Sequence, residues 1–143
     1  DGGNHTITGL TINQYGNYVG MIDFLDSGGT VQNLTLENVN ITGGDIVGSV
    51  VGDNYGTVTA CTASGNVSGT SNVGGVVGYN ISGTLTACYW SGLPDNDNGG
   101  ATKVDGTTVT WQNAVDAMNT ALQSAGSEWR YELTGELPTL KKQ

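Results

Sequence analysis

The chain has 143 residues, 36% of them hydrophobic and 12% charged, with 24 glycines and a net charge of −9, a length that fits one compact domain or a repeat unit with a cap. Eight acids and no Lys or Arg precede position 103, whereas five acids and all four cations (Lys103, Arg130, Lys141, Lys142) follow from there, so the first part carries about −8 and the rest about −1. Phosphate backbones and anionic bilayers are held by basic side chains, which argues against nucleic acid and an anionic membrane surface as partners, and no apolar run approaches the roughly 20 residues that cross a bilayer.

In chain order, the first segment is HTITGLTINQYGN from His5, which reads as a partial strand copy. Three longer segments then align: YVGMIDFLDSGGTVQNLTLENVNITGG from Tyr18, IVGSVVGDNYGTVTACTASGNVSGT from Ile46, and NVGGVVGYNISGTLTACYWSG from Asn72. Their Val-Gly anchors at Val19, Val47 and Val73 are spaced by 28 and 26 residues, and their Gly-Thr anchors at Thr30, Thr57 and Thr84 by 27 and 27. Read down the copies, the apolar columns are Ile7, Val31, Val58, Leu85; Leu10, Leu34, Cys61, Cys88; Ile12, Leu36, Ala63, Trp90; Ile41, Val67; Val19, Val47, Val73; and Ile22, Val50, Val76. Thr, Asn, Ser and Gly fill most of the positions between. Alternating inward and outward rows are what a strand presents, and a repeat of this length buries its apolar face only by stacking on its neighbours.

The expected fold is therefore mainly β: a short right-handed parallel β-helix, or β-solenoid, of about four coils over residues 1–92, with Gly at the corners. Residues 93–106 read as a connector. Residues 107–143 read as a strand-helix-strand cap: a strand at 107–110, a helix over 111–125 with Thr110 as N-cap and Gly126 at C′, and strands at 129–133 and 137–140. Trp111, Val115, Met118 and Leu122 share one helix face, expected to cover the C-terminal end of the core. The N-terminal end lacks such a cap, which points to further chain upstream.

The pattern VGSVVG at 47–52 and VGGVVG at 73–78, followed by Gly-Thr-Val/Leu-Thr-x-Cys, resembles the GLUG-motif repeats of bacterial secreted and cell-surface proteins; the opening DGGNHTITGLTI is similar to the strand that begins such regions. The resemblance covers roughly residues 1–92, and MIDF at 21–24 departs from it. It implies an extracellular or cell-surface adhesin-like module of a larger parent chain, with host glycans or matrix and surface proteins as partners.

Chemistry is sparse. Asp95-Asn96-Asp97-Asn98-Gly99-Gly100 alternates oxygen ligands ahead of Gly, as half of a Ca²⁺ loop does, but lacks the closing Glu; a solvated turn is the simpler reading, and no cofactor is expected. Cys61 and Cys88 lie one coil apart, within reach of a disulfide or, more simply, packed as free buried thiols. The acids Asp23, Asp26, Glu37, Asp45 and Asp53 do not recur as an adjacent pair of the kind a glycosidase uses. With His5 the one histidine, no Ser-His-Asp set arises, so the chain is read as non-catalytic, a polysaccharide-degrading β-helix being a minor alternative. Thr57 and Thr59 over Thr84 and Thr86 form an outward Thr array of a kind that orders water, interrupted at Gln32 and Asn33. Five N-x-S/T sequences (Asn4, Asn33, Asn40, Asn66, Asn80) are expected by chance in such a composition. The alternative to a structural or adhesive module is carbohydrate binding through Tyr15, Tyr18, Tyr55, Tyr79 or Tyr89, with Tyr55 and Tyr79 on near-equivalent turns of successive coils.

Overall fold

A computed structural model describes residues 1–3 and 5–143. Two short strands, β1 (Thr6–Thr8) and β2 (Thr11–Asn13), open the chain. The first rung follows as β3 (Tyr18–Val19), β4 (Ile22–Leu25), β5 (Thr30–Gln32) and β6 (Thr35–Thr42). The second is β7 (Ile46–Gly48), β8 (Val51–Asn54), β9 (Thr57–Thr59) and β10 (Thr62–Ser68); the third is β11 (Asn72–Gly74), β12 (Val77–Tyr79), β13 (Thr84–Thr86) and β14 (Tyr89–Leu93). Then come β15 (Thr102–Lys103), helix α1 (Trp111–Ser124), and a hairpin of β16 (Trp129–Glu132) and β17 (Thr139–Lys142).

Equivalent strands stack in parallel as β3-β7-β11, β4-β8-β12 and β5-β9-β13, and a longer sheet runs β1-β6-β10-β14-β15 with β2 also on β6. The chain is thus a parallel β-solenoid of three complete rungs, not about four. The fourth copy expected at the start is only β1 and β2, lying one after the other along the long strand β6.

Register corrects four placements. Ile7 pairs with Leu36, two columns further along than its alternation with Thr implied, and Ile12 with Ile41, one column further along; the Leu10 carbonyl accepts from Asn40 N–H, which places Leu10 along β6 and away from Leu34. Ile22 pairs with Val51, which pairs with Val77, because the bend after Val19 is one residue shorter than the bend after Val47. The remaining columns hold: Val31–Val58–Leu85, Leu36–Ala63–Trp90, Ile41–Val67 and Val19–Val47–Val73. Val19, Leu36, Ile41, Val47, Val51, Val58 and Val77 are all buried in one cluster, each contributing about 1.5–3 kcal/mol. In the third column Ala63 is small and Trp90 large, and the indole fills the space over Gly75. A Cβ at Gly75 would lie 2.1 Å from the Trp90 ring, so glycine is required there.

The corners are built from polar ladders and turns. Asn54 occupies the inward position of Leu25 and donates to Asn80 of the next rung at 2.9 Å, while its own carbonyl accepts from Gly56 N–H at 3.0 Å. Asn33, Ala60 and Ala87 all have positive φ, 56°, 51° and 50°, at the equivalent corner of successive rungs.

The C-terminal unit is helix α1 followed by the β16–β17 hairpin. Thr110 caps α1 through a reciprocal capping box with Asn113, and Gly126 has φ 70°. No strand forms at 107–110; instead the Asp105 carboxylate gathers the amides of Thr107, Thr108 and Val109 into a turn. The docking site is also different. Met118, Leu122 and Val115 pack with Tyr131 and Leu140 against Ala60, Ala87, Tyr89 and Val104, so α1 lies on the flank of the stack. The C-terminal end is closed by other groups. The parallel sheet runs past Gly92, with β14 ending at Leu93 and β15 added beyond it. Lys103, in register with Trp90, places its ammonium 4.9 Å from the centre of that ring and 2.6 Å from Asp95. Asn98 N–H donates to Val73 C=O, and Gly99 packs on Val77. A charged residue at an inward position of a terminal strand blocks further strand addition. The opposite end is a concavity of about 200 Å³ lined by Asp1, Gly2, Met21, Ile22, Thr30, Val31 and Leu34.

Candidate functional site

The exposed aromatic side chains are placed by the same register. Along β4, Leu25 turns into the core and Phe24 turns out. Phe24 pairs with Asp53, and Asp53 with Tyr79. Tyr79 therefore shares a row with Phe24 and not with Tyr55, which corrects the expectation that Tyr55 and Tyr79 are near-equivalent. The bonded pair Asn54 and Asn80 fixes the alignment that follows: Tyr55 corresponds to Ile81, which is 62% exposed.

Tyr55 instead packs on Phe24 of the rung before, with ring centroids 5.1 Å apart and planes 33° from parallel. Phe24 is 49% exposed and Tyr55 37%. Phe24 was not singled out from sequence, although MIDF at 21–24 is where the first copy breaks the glycine pattern.

Between Phe24 and Tyr79 lies Asp53, an outward residue only 4% exposed. Its Oδ1 has no hydrogen-bond partner among the described residues. Burial raises its pKa, opposed by the Asn54 amide. The two tilted rings make a small exposed apolar platform, and aromatic rings with a polar edge suit the faces of ring-shaped polyols.

The other residues singled out from sequence are not gathered there. Tyr15 is almost fully exposed, Tyr18 is exposed, and Tyr89 is half-buried under α1. Asp95 faces Lys103, which lowers its pKa. Asp97 turns the other way, accepting from the amides of Val76 and Ala101 at 3.1 Å, and burial raises its pKa against those bonds. Each carboxylate is thus engaged with its own partner, and no cluster of three metal-ligating side chains occurs among the described residues. Asp23 accepts from Gly20 N–H and Asp45 from the Thr70 hydroxyl. Cys61 and Cys88 are both free and buried, each thiol facing backbone carbonyls of its own and the preceding rung. The Thr array gains a member, since Thr30 aligns with Thr57 and Thr84, while Gln32 aligns with Thr59 and Thr86; Asn33 is buried outside it.

No protein-family model matches the chain, and no solved structure matches it. Among curated proteins it is similar to Halomucin of Haloquadratum walsbyi, 51% identical over 88 residues. That stretch is 60% of this chain and 1% of the relative, so the chain spans about one hundredth of the protein it matches.

Proposed function

We propose that the chain is a structural β-solenoid segment of a long secreted or cell-surface protein, non-catalytic, whose work is to project and present its outer faces. The observation that carries this reading is the three-rung parallel stack, whose inward apolar rows are buried by stacking. The relative supports it: 88 residues are 1% of Halomucin, so a closely similar stretch serves there as one small part of a chain thousands of residues long. The name of that relative fits an extracellular location, and the resemblance to GLUG repeats fits the same place. Labelling intact cells of the source organism with an antibody to the folded chain tests this reading. Staining of intact cells or of the medium supports it; antigen found only after lysis removes it.

A second reading, recognition of glycans or surface proteins, is favoured by the Phe24–Tyr55 pair alone. The folded chain on an array of glycans and matrix proteins tests it. A hit lost in both Phe24→Ala and Tyr55→Ala assigns the platform. A blank array, with the circular dichroism of a folded β-rich chain, leaves a spacer.

A further inference from the structure

We infer that Asn40 and Asn66 are acceptors for N-linked glycans, an inference that rests on the extracellular reading above. The five N-x-S/T sequences are equal on paper, and the fold separates them. Asn4 lies outside the described residues. Asn33 is fully buried, and its amide donates to both oxygens of the Asp1 carboxylate at 3.2 Å. Asn80 is half-buried at the inner corner, its carbonyl accepting from Asn54. A sugar on either would have to displace the corner that holds the rungs together.

Asn40 and Asn66 are placed otherwise. Both are exposed, on β6 and β10, and they pair with each other in register. Among the described residues no hydrogen bond holds either side-chain amide. Ile41 and Val67 turn into the core, so Asn40 and Thr42, like Asn66 and Ser68, point outward on one face, as strand alternation requires. The Thr42 and Ser68 hydroxyls lie 3.1 Å apart. The neighbours in the same row are Thr11 and Leu93, both exposed and uncharged. The apolar seam of the helical unit with the stack runs along Ala60, Ala87, Tyr89 and Val104, away from this face. Two acceptor sequences thus stand one above the other on an open sheet face.

The donor is an oligosaccharide carried on an isoprenoid phosphate or diphosphate, transferred by an oligosaccharyltransferase of the producing cell. The Asn Nδ2 attacks the anomeric carbon, the bond from that carbon to the phosphate oxygen breaks, the lipid phosphate leaves, and the amide gives up one proton. No electron is gained or lost. A sugar on Asn33 or Asn80 is incompatible with the closed corner, so chains modified there are excluded from the folded fraction. Adjacent strands are roughly 4.8 Å apart, so sugars on both residues crowd each other, and one glycan per molecule is the dominant product.

The test is secretion of the full chain from a host that N-glycosylates, followed by peptide mapping of the folded, soluble fraction. Glycopeptides are expected at Asn40 or Asn66, rarely both on one molecule, and none at Asn33 or Asn80. Thr42→Ala shifts occupancy to Asn66, and Ser68→Ala shifts it to Asn40. Asn40→Gln with Asn66→Gln removes both glycopeptides and leaves thermal unfolding unchanged, which separates lost attachment from lost folding. Bare peptides at both positions, or sugar on Asn33 or Asn80 in the folded fraction, overturn the inference. If the same chain is found bare on intact source cells, only this inference fails; if it is found only inside those cells, the surface reading fails with it.

Discussion

The phenol of Tyr131 donates to the carbonyl of Ala60 at 2.7 Å, joining residues 71 positions apart. The bond lies in a fully buried seam, and burial raises the phenol pKa far above its ordinary range. Tyr131→Phe keeps the ring and leaves the Ala60 carbonyl without its donor, at a cost of about 1–3 kcal/mol. The urea midpoint of the variant, with an unchanged m-value, is the measurement; an unchanged midpoint would mean that water replaces the phenol.

Met118 is fully buried between the hairpin and the stack. Met118→Ala is expected to destabilise by about 2–5 kcal/mol. Because the helix lies on the flank, hydrogen exchange should rise first in α1, β16 and β17, with β8 and β9 still protected. Simultaneous loss of protection everywhere would show one cooperative unit instead.

Asp53 sets a pH dependence opposite to the usual acidic one. Its folded-state pKa is raised above 3.8 by burial, so the folded chain holds the proton where the unfolded chain has released it. Stability is therefore greatest below the unfolded value and falls as pH rises through the folded one. Asp105 runs the other way. Three backbone amides hold it at about 2 against an ordinary 3.8, so its contribution is present above 3.8 and is lost as pH falls toward 2. Asp53→Asn should raise the Tm at pH 7 and flatten its decline from pH 4 upward, while Asp105→Asn should lower the Tm at pH 7 and leave that decline in place. A thermal-shift series in both variants checks the signs.

The two thiols are buried and free. Ellman's reagent should react slowly with the native chain and release two equivalents on unfolding without reductant. Prompt reaction in native buffer would contradict the packing, and no release on unfolding would mean that Cys61 and Cys88 are bonded.

Lys103→Val removes the charge from the inward row of β15 and the ion pair with Asp95. The end of the stack then presents a neutral strand, and concentration-dependent association in sedimentation velocity is the expected result. A variant that stays monomeric would assign the blocking to the loop at 94–101.

Much of this fold was legible because Val19, Val47 and Val73 keep their spacing and because parallel stacking turns spacing into register. The errors have local causes. Spacing alone sets Ile22 against Val50, because a bend can lose one residue without disturbing the strands on either side and nothing in composition marks the loss. It also misplaces Ile7 and Ile12, because Thr-Ile-Thr alternation says which way a side chain points, not which sheet it joins. Met118 and Leu122 identified the buried face of α1, but a periodicity does not name the surface that covers it, so the flank docking at Ala60 was out of reach. The aromatic platform is half visible in the sequence: Tyr55 stands out as a turn aromatic, but its partner Phe24 follows only from the register that pairs Phe24 with Asp53. The separation of Asn40 and Asn66 from Asn33 and Asn80 needed the fold entirely.

The attachment of the hairpin to Ala60 bears on how the chain carries load. A pull on the C-terminus enters at β16 and β17, where the Tyr131 bond to Ala60 and the apolar seam at Ala87 and Tyr89 share it between the second and third rungs. Trp129 also lies close to Gly3 at the other end of the chain. Tension between the two ends is therefore taken first across the flank, and the rungs begin to peel only after that clasp has opened.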